Sequence, residues 1–142
     1  MDAAQIYEAK LIGADAVLLI TALLDEERLK EYLTIAQNVG LDVLTEVHDE
    51  AELEMALNAG AEIIGVNNRN LRDFTVDLTT SLRLKKLVPP GITFVAESGI
   101  KTRADTAQLE AAGADAVLIG ETLMKSSNVQ AALKELAGGQ NG

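Results

Sequence analysis

The sequence predicts an α/β fold built from parallel βα repeats, and three observations carry that expectation. An internal echo comes first: GADAVLLI at 13–20, GAEIIGV at 60–66 and GADAVLIG at 113–120 each follow a helical pattern, so a helix, a glycine stop and a short strand recur. Two further short apolar runs, LDVLTEVH at 41–48 and ITFVAESGI at 92–100, read as strands by length and β-branching and bring the expected count to five. The core is also aliphatic, since Tyr7, Tyr32, Phe74 and Phe94 are the only aromatic residues in a chain that is 48% hydrophobic. Runs of Val, Ile, Leu and Ala suit strands buried on both faces, which is how parallel sheets are covered.

The segments between the strands read as helices, each with its own start or stop. Residues 3–12 form a first helix ahead of the first strand. LDEERLKEYLTIAQNVG then places Leu29, Leu33 and Ala36 at helical spacing, carries acids in its first turn and stops at Gly40. HDEAELEMALNAGA repeats the grammar with Asp49 as N-cap. The next helix spans Leu78 to Leu87 and is closed by Pro89 and Pro90, which cannot continue it. After Lys101, Thr102 caps a helix that ends at Gly113. A short helical turn covers Glu121 to Met124, and a last helix covers Asn128 to Ala137. The final GGQNG reads as a frayed tail or a truncation point.

Strict alternation of this kind requires parallel strands with right-handed crossovers. An open doubly wound sheet satisfies it, and so does part of a (β/α)8 barrel, whose whole length is typically about 250 residues. At 142 residues, length by itself favours the open sheet as one domain covering 1–142. With 22 acidic against 12 basic residues and a net charge of -10, the chain repels polyanions, which argues against nucleic acid and anionic membrane surfaces as partners. The absence of cysteine excludes disulfides and Cys-based zinc sites, and a single histidine, His48, excludes a histidine cluster. A soluble protein of the reducing cytoplasm is expected. No Walker, GxGxxG or HExxH motif occurs.

In either architecture, chemistry gathers where strands end at their C-terminal edge. The second strand ends in Thr45-Glu46-Val47-His48, the third in Asn67-Asn68-Arg69-Asn70, the fourth in Glu97-Ser98-Gly99 and the fifth in Gly120-Glu121-Thr122. An acid inside VLTEV must be solvated, paired or working. The plainer account of each carboxylate is that it caps the next helix or pairs with an arginine. Ser98, Gly99 and Gly120 are small residues that let backbone N–H groups approach an anion, the layout of a phosphate site, although tight βα turns alone would also call for them. Glu121 beside a phosphate would have to point outward. His48 starts the helix after the second strand and has no second histidine to support it, so it is read as structural and receives no catalytic role.

Taken together, QIYEAKLIGADAVLLI, LTEVH, IGVNNRNL with the following VDL, VAESGI and GADAVLIGETLM resemble indole-3-glycerol-phosphate synthase, a carboxy-lyase (decarboxylase) of tryptophan biosynthesis. The resemblance covers nearly the whole chain in the family's order and spacing. It implies a partial (β/α)8 barrel, the five strands being the family's fourth to eighth and its first three strands missing. It also implies ring closure, decarboxylation and dehydration of 1-(2-carboxyphenylamino)-1-deoxyribulose 5-phosphate, with no metal or organic cofactor. Residue by residue, Glu46 resembles the family's proton-handling glutamate. Asn67 resembles the asparagine that hydrogen-bonds the substrate, and Glu97 the glutamate near its hydroxyls. Arg69 resembles the arginine that faces the substrate carboxylate, a partner suited to its planar fork. Ser98, Gly99, Gly120 and Glu121 match the backbone cradle for the phosphate.

The same resemblance implies that the family's general-acid lysine lies outside this chain, since neither Lys10 nor Lys30 falls at a matching position. The loss of a positioned general acid costs about 10² to 10⁴ in rate, so the isolated chain is expected to be impaired or inactive. A five-stranded parallel fragment also carries two open edges, which invite self-association or pairing with an N-terminal half. A non-catalytic, phosphate-binding half-barrel is the competing reading. Other phosphate-binding barrels, such as sugar-phosphate isomerases, share ESGI-like and GADAV-like segments, but NNRNL with its paired VDL argues against them.

Overall fold

A computed structural model describes residues 2–70 and 73–139. Leu71, within the IGVNNRNL motif, and residues 140–142 of the C-terminal tail lie outside the described residues. In chain order the elements are α1 (Ala3–Leu11), β1 (Ala16–Ile20), a 3-10 turn (Thr21–Leu23), α2 (Glu26–Asn38), β2 (Asp42–Val47), α3 (Glu50–Ala59), β3 (Ile63–Asn67), α4 (Thr79–Lys85), β4 (Thr93–Glu97), α5 (Arg103–Ala111), β5 (Ala116–Leu118), α6 (Glu121–Met124) and α7 (Val129–Leu136). The strands form one sheet in the order β1-β2-β3-β4-β5. The pairings β1 with β2 and β4 with β5 are parallel, with Leu18 opposite Leu44 and Glu97 opposite Leu118. This is the α/β arrangement of a partial (β/α)8 barrel with five strands.

The chain divides into two compact units, one of residues 1–65 and 89–93 and the other of residues 66–88 and 94–142. In the first unit the helical stripe read from the sequence is the core face of α2: Leu29 and Ala36 are fully buried and Leu33 nearly so. Ile6 from α1, Leu19 from β1, Val47 from β2, Leu53 from α3 and Ile64 from β3 complete that interior. Asp49 caps α3 by accepting the Glu52 backbone N–H at 2.9 Å, and Asp25 does the same for Arg28 at 2.8 Å. Helix α3 stops at Gly60, whose φ of 93° is open to glycine at little cost.

In the second unit Leu84, Phe94, Ala96, Ile100, Leu109 and Leu136 are buried together. Strands β4 and β5 are pinned at their start by a reciprocal pair: the Phe94 N–H donates to Asp115 Oδ2 at 2.8 Å and the Asp115 N–H donates to the Phe94 carbonyl at 2.9 Å. Thr102 and Asp105 form a capping box at the start of α5, so the cap expected there is present. Helix α4 ends at Lys85, short of the expected Leu87, because the chain turns before it reaches Pro89 and Pro90. Strand β5 is exposed along its whole length, whereas β1, the other edge strand, buries Leu19 completely.

Candidate functional site

Where β3 leaves the sheet in the second unit, two adjacent asparagines do different work. Asn68 is 3% exposed, and all of its side-chain polar atoms are occupied. Its amide donates to the carbonyls of Glu97 (2.9 Å) and Ser98 (3.2 Å), and its Oδ1 accepts from the Ser81 N–H (3.0 Å) and hydroxyl (2.8 Å). The end of β4 and the start of α4 are thereby fixed to β3 by one buried side chain. Asn67 instead accepts the Arg69 backbone N–H on Oδ1 at 3.0 Å, a local turn that aims the arginine. The loop then returns through a bridge between Arg69 and Val76.

Beyond β4 the backbone takes a sparsely populated path, with Ser98 at φ 62° and Gly99 at φ 76°. A β-carbon on Gly99 would run into the side chain of Val76, so only glycine fits between this turn and the β3–α4 loop. Non-glycine residues held at positive φ concentrate where function requires a particular backbone direction. At Gly120, by contrast, an added β-carbon would meet no protein atom, so the room there belongs to the cavity. Thr122 ties the start of α6 to this turn by donating its hydroxyl to the Ile100 carbonyl at 2.7 Å.

These segments enclose a cavity of about 860 Å³ whose lining includes Arg69, Glu97, Ser98, Gly99, Gly120 and Glu121, with Lys101, Thr122, Lys125 and Ser126 at its polar side. Six of the eight site residues read from the sequence therefore meet in one place. Asn67 is not among the lining residues, and Glu46 belongs to the first unit, where it is 5% exposed at the end of β2. Glu121 sits at the rim between two cations: Arg69 Nη2 donates to Oε2 at 2.6 Å and Lys125 Nζ donates to Oε1 at 2.6 Å. The hydrogen bond and charge of Lys125, followed by those of Arg69, hold the Glu121 carboxyl below the ordinary carboxylate range. The Glu121 charge is thus balanced by two cationic neighbours.

Three contributors had weaker signals in the sequence. Lys125 lies four residues after Glu121, the spacing of a helical ion pair, and that signal was available. Thr122 and Asn68 stand among the polar residues at the strand ends, but alternation puts Asn67 and Asn68 on opposite faces without saying which faces inward. Among the described residues no group of three or more His, Cys, Asp or Glu side chains is placed to hold a metal ion, and no helix is long and apolar enough to cross a membrane.

Residues 1–136 match the family model of indole-3-glycerol phosphate synthase. The chain belongs to the indole-3-glycerol phosphate synthase family. It is 58% identical over 138 residues to the indole-3-glycerol phosphate synthase of Ruminiclostridium cellulolyticum, covering 97% of this chain and 53% of that protein. It is 52% identical over 138 residues to that of Leuconostoc mesenteroides, again covering 97% and 53%. The chain therefore spans about half the length of these relatives. Among solved structures it resembles a thiamine phosphate pyrophosphorylase from Pyrococcus furiosus, with a TM-score of 0.74 at 22% identity over 94% of this chain and 62% of the other, a likeness of fold alone.

Proposed function

We propose that this chain carries the phosphate end and the proton-handling glutamate of an indole-3-glycerol-phosphate synthase, a lyase that closes, decarboxylates and dehydrates 1-(2-carboxyphenylamino)-1-deoxyribulose 5-phosphate. The observation that supports the reading best is the cavity lined by Ser98, Gly99 and Gly120 in a chain of this family. Small residues there let backbone N–H groups approach phosphate oxygens, while Lys101 and Lys125 supply positive charge at the same cavity. Glu121 contributes its backbone, its side chain being engaged by Arg69 and Lys125. In this reading Arg69 exchanges Glu121 for the substrate carboxylate, an exchange made cheap by the exposure of that ion pair.

Asn67 then hydrogen-bonds the substrate, Glu97 faces its hydroxyls and Glu46 moves protons during ring closure and dehydration. The two compact units act as one partial-barrel domain, in the cytoplasm, and the open edges pair with the family's N-terminal half or with a second copy. The test is turnover: in an assembly that converts the substrate, Glu46→Gln lowers kcat by about 10² to 10⁴. Unchanged turnover would remove Glu46 from the mechanism. A non-catalytic phosphate-binding role is the second reading, and it requires phosphorylated ligand to bind without any conversion.

A further inference from the structure

The chain's single histidine lies in the first unit, caught between two carboxylates. On one side, Oε2 of Glu52 accepts the His48 backbone N–H at 2.8 Å and lies 2.9 Å from ring Nδ1. Glu52 is itself fixed in place, because its own N–H is held by Asp49 at the start of α3. On the other side, ring Nε2 lies 3.2 Å from Oε1 of Glu46. The His48 and Glu46 side chains are only 13% and 6% exposed, so water has little access to this contact.

Proton counting gives the arrangement a meaning. An ionised Glu52 oxygen can only accept, so Nδ1 must carry the hydrogen that faces it. A neutral ring would then present a bare Nε2 lone pair to a carboxylate oxygen, two acceptors in contact in a dry place, and that is costly. One proton on the line between Nε2 and Oε1 removes the conflict. It can sit on nitrogen, giving an imidazolium between two carboxylates, or on oxygen, giving a neutral acid against a neutral ring. The cluster of Glu46, His48 and Glu52 carries the same net charge of about -1 either way. Nε2 is buried without an aligned hydrogen-bond partner, so the contact is close but off line, as proton-transfer pairs often are before a ligand arrives.

We propose that His48 is a positioning residue for Glu46: its ring, anchored through Nδ1 to Glu52, holds a proton against Glu46 Oε1 and keeps that carboxyl both oriented and supplied with one exchangeable proton. The inference rests on the proton-handling role proposed for Glu46. When the shared proton leaves through Oε1 to the substrate, Nε2 is left bare, the ring neutral and Glu46 ionised. When the substrate returns a proton to Glu46, it passes back to Nε2, and nothing is gained or lost over the cycle. The charged groups set against the ring are Glu46 from β2 and Glu52 from α3, so the ring reads both elements at once. A merely structural histidine would serve only to brace the start of α3 through Glu52.

Long-range proton–nitrogen NMR on the uniformly ¹⁵N-labelled full chain separates these roles, because one histidine gives two ring-nitrogen resonances without ambiguity. Glu46→Gln is expected to move Nε2 strongly and Nδ1 little, and Glu52→Gln to move Nδ1. An Nε2 resonance that stays where it is in Glu46→Gln, while Nδ1 responds to Glu52→Gln, overturns the proposal and leaves His48 as a brace. Should Glu46→Gln lose the backbone spectrum of the parent, Glu46→Asp reads the same resonance with the carboxylate drawn back by one methylene, and an unmoved Nε2 again overturns it. Turnover does not enter this readout, so failure of the synthase reading and failure of the histidine proposal are told apart.

Discussion

Each unit carries a glutamate close to the end of a strand, and the two glutamates live in opposite surroundings. Glu46 lies one residue before the end of β2 in the first unit at 5% exposure, beside an imidazole that the next helix holds in place. The Glu121 side chain follows β5 in the second unit at 56% exposure, gripped by the long side chains of Arg69 and Lys125. A charge taken out of water needs a partner supplied by rigid neighbours, and removing that partner is costly. A charge at a rim can be held by flexible side chains that part when a better anion arrives, at small cost in stability. The same βα grammar thus yields a dry carboxylate held by rigid neighbours and an exposed one held by flexible side chains.

Glu46→Gln is expected to lower turnover by about 10² to 10⁴ while phosphate binding in the second unit persists. If both are lost together, the two sites are not separate in function. The next largest effect is structural. Asn68→Ala strips partners from Ser81 and from two carbonyls in a buried place, and urea unfolding should register a loss of about 2–3 kcal/mol. Gly99→Val forces a β-carbon into Val76 at a positive φ, and it should cost about 1–3 kcal/mol and abolish the response to phosphate in calorimetry.

Thr102→Ala removes one half of the capping box of α5 and should lower stability by about 1 kcal/mol without changing ligand binding. Glu121→Gln should change stability least of all and tighten phosphate binding, since it frees Arg69 and Lys125. Its effect on stability has a definite pH dependence. The folded carboxyl is held below its ordinary range, so the contribution of the ion cluster is complete above that range and is lost as pH falls through the lowered value. Unfolding curves of parent and variant should therefore converge in acid.

Much of the fold was legible in the sequence because it rests on local rules. The repeated GADAV segments announced glycine stops followed by strands, and Gly13, Gly60 and Gly113 all adopt positive φ. Leu29, Leu33 and Ala36 read as one buried stripe and are one. The candidate site was partly legible, since strand ends collect polar residues in any parallel α/β fold. What stayed hidden depends on distance across the chain. The pairing of Arg69 with Glu121 spans 52 positions, and the grip of Asn68 on Glu97 spans 29, so no local pattern encodes either. No second histidine stands beside His48; its partners are carboxylates two positions before it and four after it.

Calorimetric titration tests most directly whether the second unit presents a phosphate site of the synthase family. The full chain would be titrated with a phosphorylated, non-reacting analogue of the carboxyphenylamino-deoxyribulose phosphate, alongside Gly99→Val and Glu121→Gln. The account predicts saturable binding that Gly99→Val abolishes and Glu121→Gln tightens. No saturable heat from the folded parent chain, or binding indifferent to Gly99, would contradict it.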